Sequence, residues 1–442
     1  MALKGRQAPP DRGSATWFNL VVRALRFRTL AWCVLALPLI LVQDFRPDTI
    51  AFAVAPYRFN VVSWELGNLP DKWIRRTISA PRYSLDHSDP ERSAERAHRY
   101  FEIGKRIRQI DHRLIGLGVN APTGDQSVAR ITELRRERDE LRKTQSALRP
   151  TVEETLESAV ADTLRELGFQ AWTGVFPPVD TALTGSPTVL ILSPRDRIQR
   201  EDGGLLRTGL ANDERERIET RIERETNLSA LVENTGGIAL YPSITADGFA
   251  LEHALEIIAH EWVHQWLWFR PLGRRYFESG DLTTLNETVA TIAGIEISQL
   301  ALERLTNAPE DQTRASQTQP DSARNSSANH APEFDFHAEM RATRVQVDAL
   351  LEAGDIDGAE AYMEERRRVF VSEGYPIRKL NQAYFAFHGT YATTGAAGVS
   401  VIGEQVRELR RQSPSLAEFL RAAAQLTSAE DLADYVERGR RP

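Results

Sequence analysis

Cysteine is almost absent from this chain: one residue, Cys33, in 442. A single thiol excludes an internal disulfide framework and any cysteine-based zinc site. A bound metal would have to be held by histidine and carboxylate. An excess of positive charge is also missing. The formal net charge is -7, which points away from nucleic acid as a partner. No apolar run reaches the about 20 residues that span a bilayer squarely. There is no internal repeat.

The longest apolar run, Leu30 to Val42, follows Lys4, Arg6, Arg12, Arg23, Arg26 and Arg28. A basic flank followed by an apolar segment is the pattern of an export signal. Two membrane-targeting readings stay open, a cleaved signal peptide followed by secretion and a short single-pass anchor; a buried core helix is the alternative to both. Gln43, Asp44, Phe45 and Arg46 offer no small-residue cleavage site, which favours the anchor. The basic tail would then stay in the cytoplasm and everything after Phe45 would lie outside the membrane.

Along the chain, residues 1–28 read as a basic tail and 29–45 as membrane anchor or signal. Residues 46–150 read as a helical region with a charged helical arm, 151–305 as the core, 306–333 as a disordered linker and 334–442 as a C-terminal helical subdomain. Asn60 to Ile78 predicts a helix. So does the stretch from Pro90 to about Ile110. Val128, Ile131, Leu134 and Leu141 recur at helical spacing in an Arg/Glu-rich stretch from Ser127 to about Leu148, the pattern of a solvated arm. Thr151 to Leu167 predicts a separate helix opened by a Thr-x-x-Glu cap. Thr188 to Leu192 and Gly236 to Pro242 predict strands. Asp213 to Glu225, Phe334 to Glu373, Leu380 to Tyr391 and Ser413 to Glu437 predict helices, with a turn at Ala353 to Gly358. The fold class is mainly α with a small mixed β-sheet, α+β.

Chemistry concentrates between Phe249 and Phe269. Leu251, Leu255, Ile258, Ala259, Trp262 and Trp266 form an apolar helical stripe. His260 and His264, four apart, leave one face about 5–6 Å from each other, close enough to share one Zn²⁺. Glu261 is turned about 100° around the axis, so it stands beside such an ion and reaches a water there. This is the HExxH arrangement. A catalytic zinc takes three protein ligands and one open position. The acid in the apolar run Leu285 to Gly294, Glu287, is the candidate third ligand. Thr284 and Glu287 also have capping-box spacing, which leaves a helix-capping role open. His253 reads as a core residue.

HEWVHQW followed by LNETVA resembles the gluzincin metallopeptidases, whose familiar members are thermolysin-like enzymes and zinc aminopeptidases. The likeness covers Gly236 to Glu296, and the stretch from His264 to Glu287 is a little long, with the excess around Arg270 to Gly273. The resemblance implies a thermolysin-like catalytic core and one Zn²⁺ on His260, His264 and Glu287. It implies Glu261 as general base, peptide or protein as substrate, and a Tyr or His from a later helical segment facing the oxyanion. His388 and Tyr391 are the candidates, with Tyr384 behind them. Gly236, Gly237 and Ile238 precede the metal helix and are candidates for an edge strand that pairs with substrate backbone. The competing readings are metal binding without turnover and a structural envelope protein whose helical arm engages a partner.

Overall fold

A computed structural model describes residues 49–68, 90–119, 125–171, 174–306, 334–390 and 401–440. The chain divides into two units, Met1–Phe52 and Ala53–Pro442, and the second carries the architecture below, apart from the first four residues of the opening helix. The linker expected over 306–333 lies, from residue 307, outside the described residues, as does Tyr391.

After a short helix α1 (Thr49–Val54) and α2, residues 61–68, two long helices follow, α3 (Pro90–Val119) and α4 (Asp125–Glu166). They pack side by side as a hairpin. The sequence predicts a break near Leu148, yet α4 runs through Pro150. Proline removes one intrahelical hydrogen bond. Burial of Leu134 upstream and of Val152, Leu156, Val160 and Leu164 downstream offsets that loss.

Strands come next: β1 (Gln170–Ala171), β2 (Gly174–Val175), β3 (Thr181–Thr184), β4 (Thr188–Pro194) and β5 (Glu201–Leu206). Helix α5 (Asn212–Glu225) leads to β6 (Leu228–Asn234), β7 (Gly237–Ile238) and β8 (Ser243–Ala246). The strands form no single sheet. One three-stranded sheet has the antiparallel order β5-β4-β6, another the mixed order β3-β8-β7. Every residue of β4 is buried, which is why its apolar run reads clearly in sequence. Strand β7 stands at the edge of its sheet.

The stretch that carries His260, Glu261 and His264 forms α6 (Leu251–Trp268), followed by α7 (Pro271–Arg274) and α8 (Gly280–Thr306). Helices α6 and α8 bury their apolar faces against one another. The remaining helices are α9 (Phe336–Glu352), α10 (Ile356–Ser372), α11 (Gln382–His388), α12 (Val401–Gln412), α13 (Leu416–Ala423) and α14 (Ala429–Arg440). The described residues of region 334–442 divide between clusters. Helices α12, α13 and α14 join the core of α6 and α8, whereas α9 and α10 close their own around Met340, Val347, Met363 and Phe370. Helix α11 lies on the β5-β4-β6 sheet, with Ala383 and Phe387 against Val189, Ile191 and Leu231.

The single-pass membrane location is corrected. Among the described residues no helix is long and apolar enough to cross a membrane. Helices α6 and α8 spend their apolar faces on the interior and carry ionisable side chains. The segment 29–45 that suggested an anchor lies outside the described residues.

Candidate metal centre

One interior turn of α6 carries both imidazoles and the acid between them. The helix is held in place by its other face. Trp262 is buried and its indole N–H donates to the Pro177 carbonyl at 2.8 Å. Phe169 meets Trp262 and Trp266 edge-on. These contacts fix the rotation of α6, so His260 and His264 face α8.

Glycine sets how close α8 comes. A β-carbon at Gly294 would lie 3.1 Å from the backbone nitrogen and the Cβ of His260, tighter than ordinary contact. Gly294 stands two turns after Glu287 on the same helix, so this close crossing carries Glu287 toward the histidines. Helix α8 begins at Gly280, with the Ser279 hydroxyl accepting from Leu282 N. Glu287 is therefore well inside the helix, and the capping role that Thr284 and Glu287 left open does not arise.

Three donor atoms meet. His260 Nε2 and His264 Nε2 are 2.9 Å apart, and Glu287 Oε2 lies 3.4 Å from the first and 3.5 Å from the second. Ligands held at about 2.0–2.1 Å around a tetrahedral zinc stand about 3.3 Å from one another. Among the described residues this is the group of three with metal-ligand geometry. The two distances to Glu287 match that spacing, whereas the imidazole nitrogens stand at hydrogen-bond distance and would part by a few tenths of an ångström around an ion. Glu287 is 5% exposed, and its Oε2 is buried without a hydrogen bond. A buried carboxylate oxygen left so is costly unless a cation completes it. His264 Nδ1 pairs with Asn286 Oδ1 at 2.8 Å. Donation from Nδ1 to that amide oxygen turns Nε2 toward Glu287 Oε2, where a bound ion would take the place of the proton that the carboxylate favours on the imidazole.

Electrostatics within the triangle follow from proximity. For His264, burial works against the charged form, but the Glu287 carboxylate outweighs it and holds the imidazole up at about 9. Burial likewise opposes the charge on Glu287, yet His264 and His260 hold it well below the usual carboxylate range. Glu261 is displaced upward: burial raises it, His260 and His264 oppose that, and Glu287 adds to it. A carboxyl raised in this way is suited to hold a proton in transit.

All of this opens on a cleft of about 1190 Å³. Gly236, Gly237 and Ile238 form one wall beside His260 and Glu261. A β-carbon at Gly237 would lie 2.5 Å from Glu261 Oε1, so only glycine lets the edge strand approach the acid. His388 lines the same cleft, and burial pushes its imidazole down to about 4. Tyr384 packs on His388, with ring centroids 4.2 Å apart. His253, read as core, is half exposed; it pairs with Glu256 at 3.1 Å and also lines the cleft.

Two contributors escaped the sequence. The Tyr276 hydroxyl donates to Glu287 Oε1, and its ring meets His264 edge-on at 6.0 Å. Asn286 orients His264. Asn286 had a visible signal, its place beside the candidate ligand in Asn-Glu. Tyr276 had none, because it sits in a connection with no periodicity. Comparison with known proteins finds no matching family model, no matching curated protein and no matching solved structure.

Proposed function

We propose that the protein is a zinc-dependent peptidase with a thermolysin-like catalytic core. The observation that carries this reading is the buried, hydrogen-bond-free Glu287 Oε2 facing two imidazoles that are themselves 2.9 Å apart. His260, His264 and Glu287 would hold the ion. Bound there, zinc supplies Lewis acidity, which brings the pKa of a water toward neutrality and polarises a carbonyl oxygen.

The chain's own residues do the rest. Glu261 takes the proton of the attacking water on its carboxylate and passes it to the leaving nitrogen. Burial at 7% exposure keeps bulk water from competing for that proton. The edge of β7 offers backbone groups to an extended peptide, and the glycines allow it close to Glu261. His388, neutral because it is buried, can donate an N–H to a developing oxyanion without bringing a charge.

The test is zinc content and peptide hydrolysis for the wild type beside Glu261→Gln. The reading expects about one zinc in both proteins, with kcat reduced by about 10²–10⁴-fold in the variant. Equal turnover in the two would reject Glu261 as the base. Zinc without any peptide hydrolysis in the wild type would favour metal binding without turnover.

A further inference from the structure

We propose that Tyr276 keeps Glu287 a one-oxygen ligand and so preserves an open corner at the metal site. The proposal rests on the zinc reading above and adds a positioning residue to it. A glutamate beside a divalent cation binds through one oxygen or through both. With two imidazoles and a water in place, a second carboxylate oxygen would make the ion five-coordinate and crowd the corner that catalysis must leave open.

The two oxygens of Glu287 have different surroundings. Oε2 faces His260 and His264 at 3.4 and 3.5 Å and has no hydrogen bond. Oε1 accepts the Tyr276 hydroxyl. For Oε1 to turn toward the ion, Glu287 would have to surrender a charge-assisted hydrogen bond on an almost fully buried side chain. The phenol thus assigns the two oxygens different tasks.

Tyr276 is itself positioned for this task. Its carbonyl accepts from Thr283 Oγ1 at 2.6 Å, in the first turn of the helix that carries Glu287. Its backbone N–H donates to the Gly273 carbonyl at 3.3 Å. Its ring stands edge-on to His264, with an interplanar angle of 86°. One side chain therefore touches two of the three ligands, one through its hydroxyl and one through its ring. Outer contacts of this kind orient ligands and tune the ion they hold.

Cobalt(II) reports the difference. Four-coordinate cobalt absorbs visible light strongly, and five-coordinate cobalt absorbs weakly. The full-length wild-type protein and Tyr276→Phe, each stripped with a chelator, are titrated with cobalt and their spectra compared. Removing only the hydroxyl of a half-buried ring keeps the packing, and a matching far-ultraviolet circular dichroism spectrum checks this. The expected result is one equivalent of cobalt in each, with an intense spectrum in the wild type and loss of most of that intensity in Tyr276→Phe. An equally intense spectrum in Tyr276→Phe overturns the role of Tyr276 and leaves the zinc site standing. Absence of cobalt uptake by the wild type overturns both.

Discussion

Two buried carboxylates in this protein are finished in opposite ways. Glu219, on α5, is 1% exposed, and its needs are met by the protein. Arg378 donates to both of its oxygens at 2.8 and 2.5 Å, Val232 N donates at 2.6 Å, and Lys379 stands at 3.5 Å. Glu287, on α8, is about as deeply buried but receives one hydroxyl on one oxygen and faces imidazoles with the other. A complete set of partners marks a structural pin, here one that ties the segment before α11 to α5. An incomplete set marks a place reserved for something else.

Substitutions can break that contrast. Glu287→Ala should reduce bound zinc from about one per chain to none under dialysis, because two histidines alone make a weak site; elemental analysis reads this. Glu219→Ala should leave zinc content intact. It should cost about 3–5 kcal/mol in urea unfolding, since Arg378 then keeps a half-buried charge without its partner. Zinc loss in Glu219→Ala with an unchanged fold would erase the distinction between the two acids.

Gly294→Ala sharpens the comparison from the packing side. The added carbon would press on His260, so we expect about 1–3 kcal/mol of destabilisation and weaker zinc retention in a chelator competition. A comparable effect concerns acid. His388 is held near 4 by burial, whereas an unfolded histidine titrates at about 6.5. Between those values the unfolded chain binds more protons, so stability present above about 6.5 is lost as pH falls toward 4. In His388→Asn the urea midpoint should fall less over that window. The smallest effect is expected at the exposed pair Arg136 and Glu140 on α4, 3.4 Å apart, where Glu140→Gln should change stability by about 0.5 kcal/mol or less.

Much of the centre was legible because helical spacing is strict. His260, Glu261 and His264 follow from a period of about 3.6 residues, and the inward face of Glu287 follows from its apolar neighbours. Strand β4 was legible for the same reason, a continuous apolar run. Less legible were the short strands β3, β5 and β8, whose pairing is set by contacts distant in sequence. Helix α4 ignored a local signal at Pro150 because tertiary burial outweighed it. Tyr276 could not be read because a connection between helices has no period, and its role depends on where α8 returns. The site's completeness lies in that return: α8 comes close at Gly294, and only then does an acid meet the two imidazoles.

Zinc-edge X-ray absorption on the metal-loaded protein tests that meeting most directly. Two imidazole nitrogens, one carboxylate oxygen and one further light atom, at about 2.0–2.1 Å, are the predicted first shell. A zinc ion surrounded by oxygen without imidazole scattering, or a protein that takes up no zinc, would contradict the account.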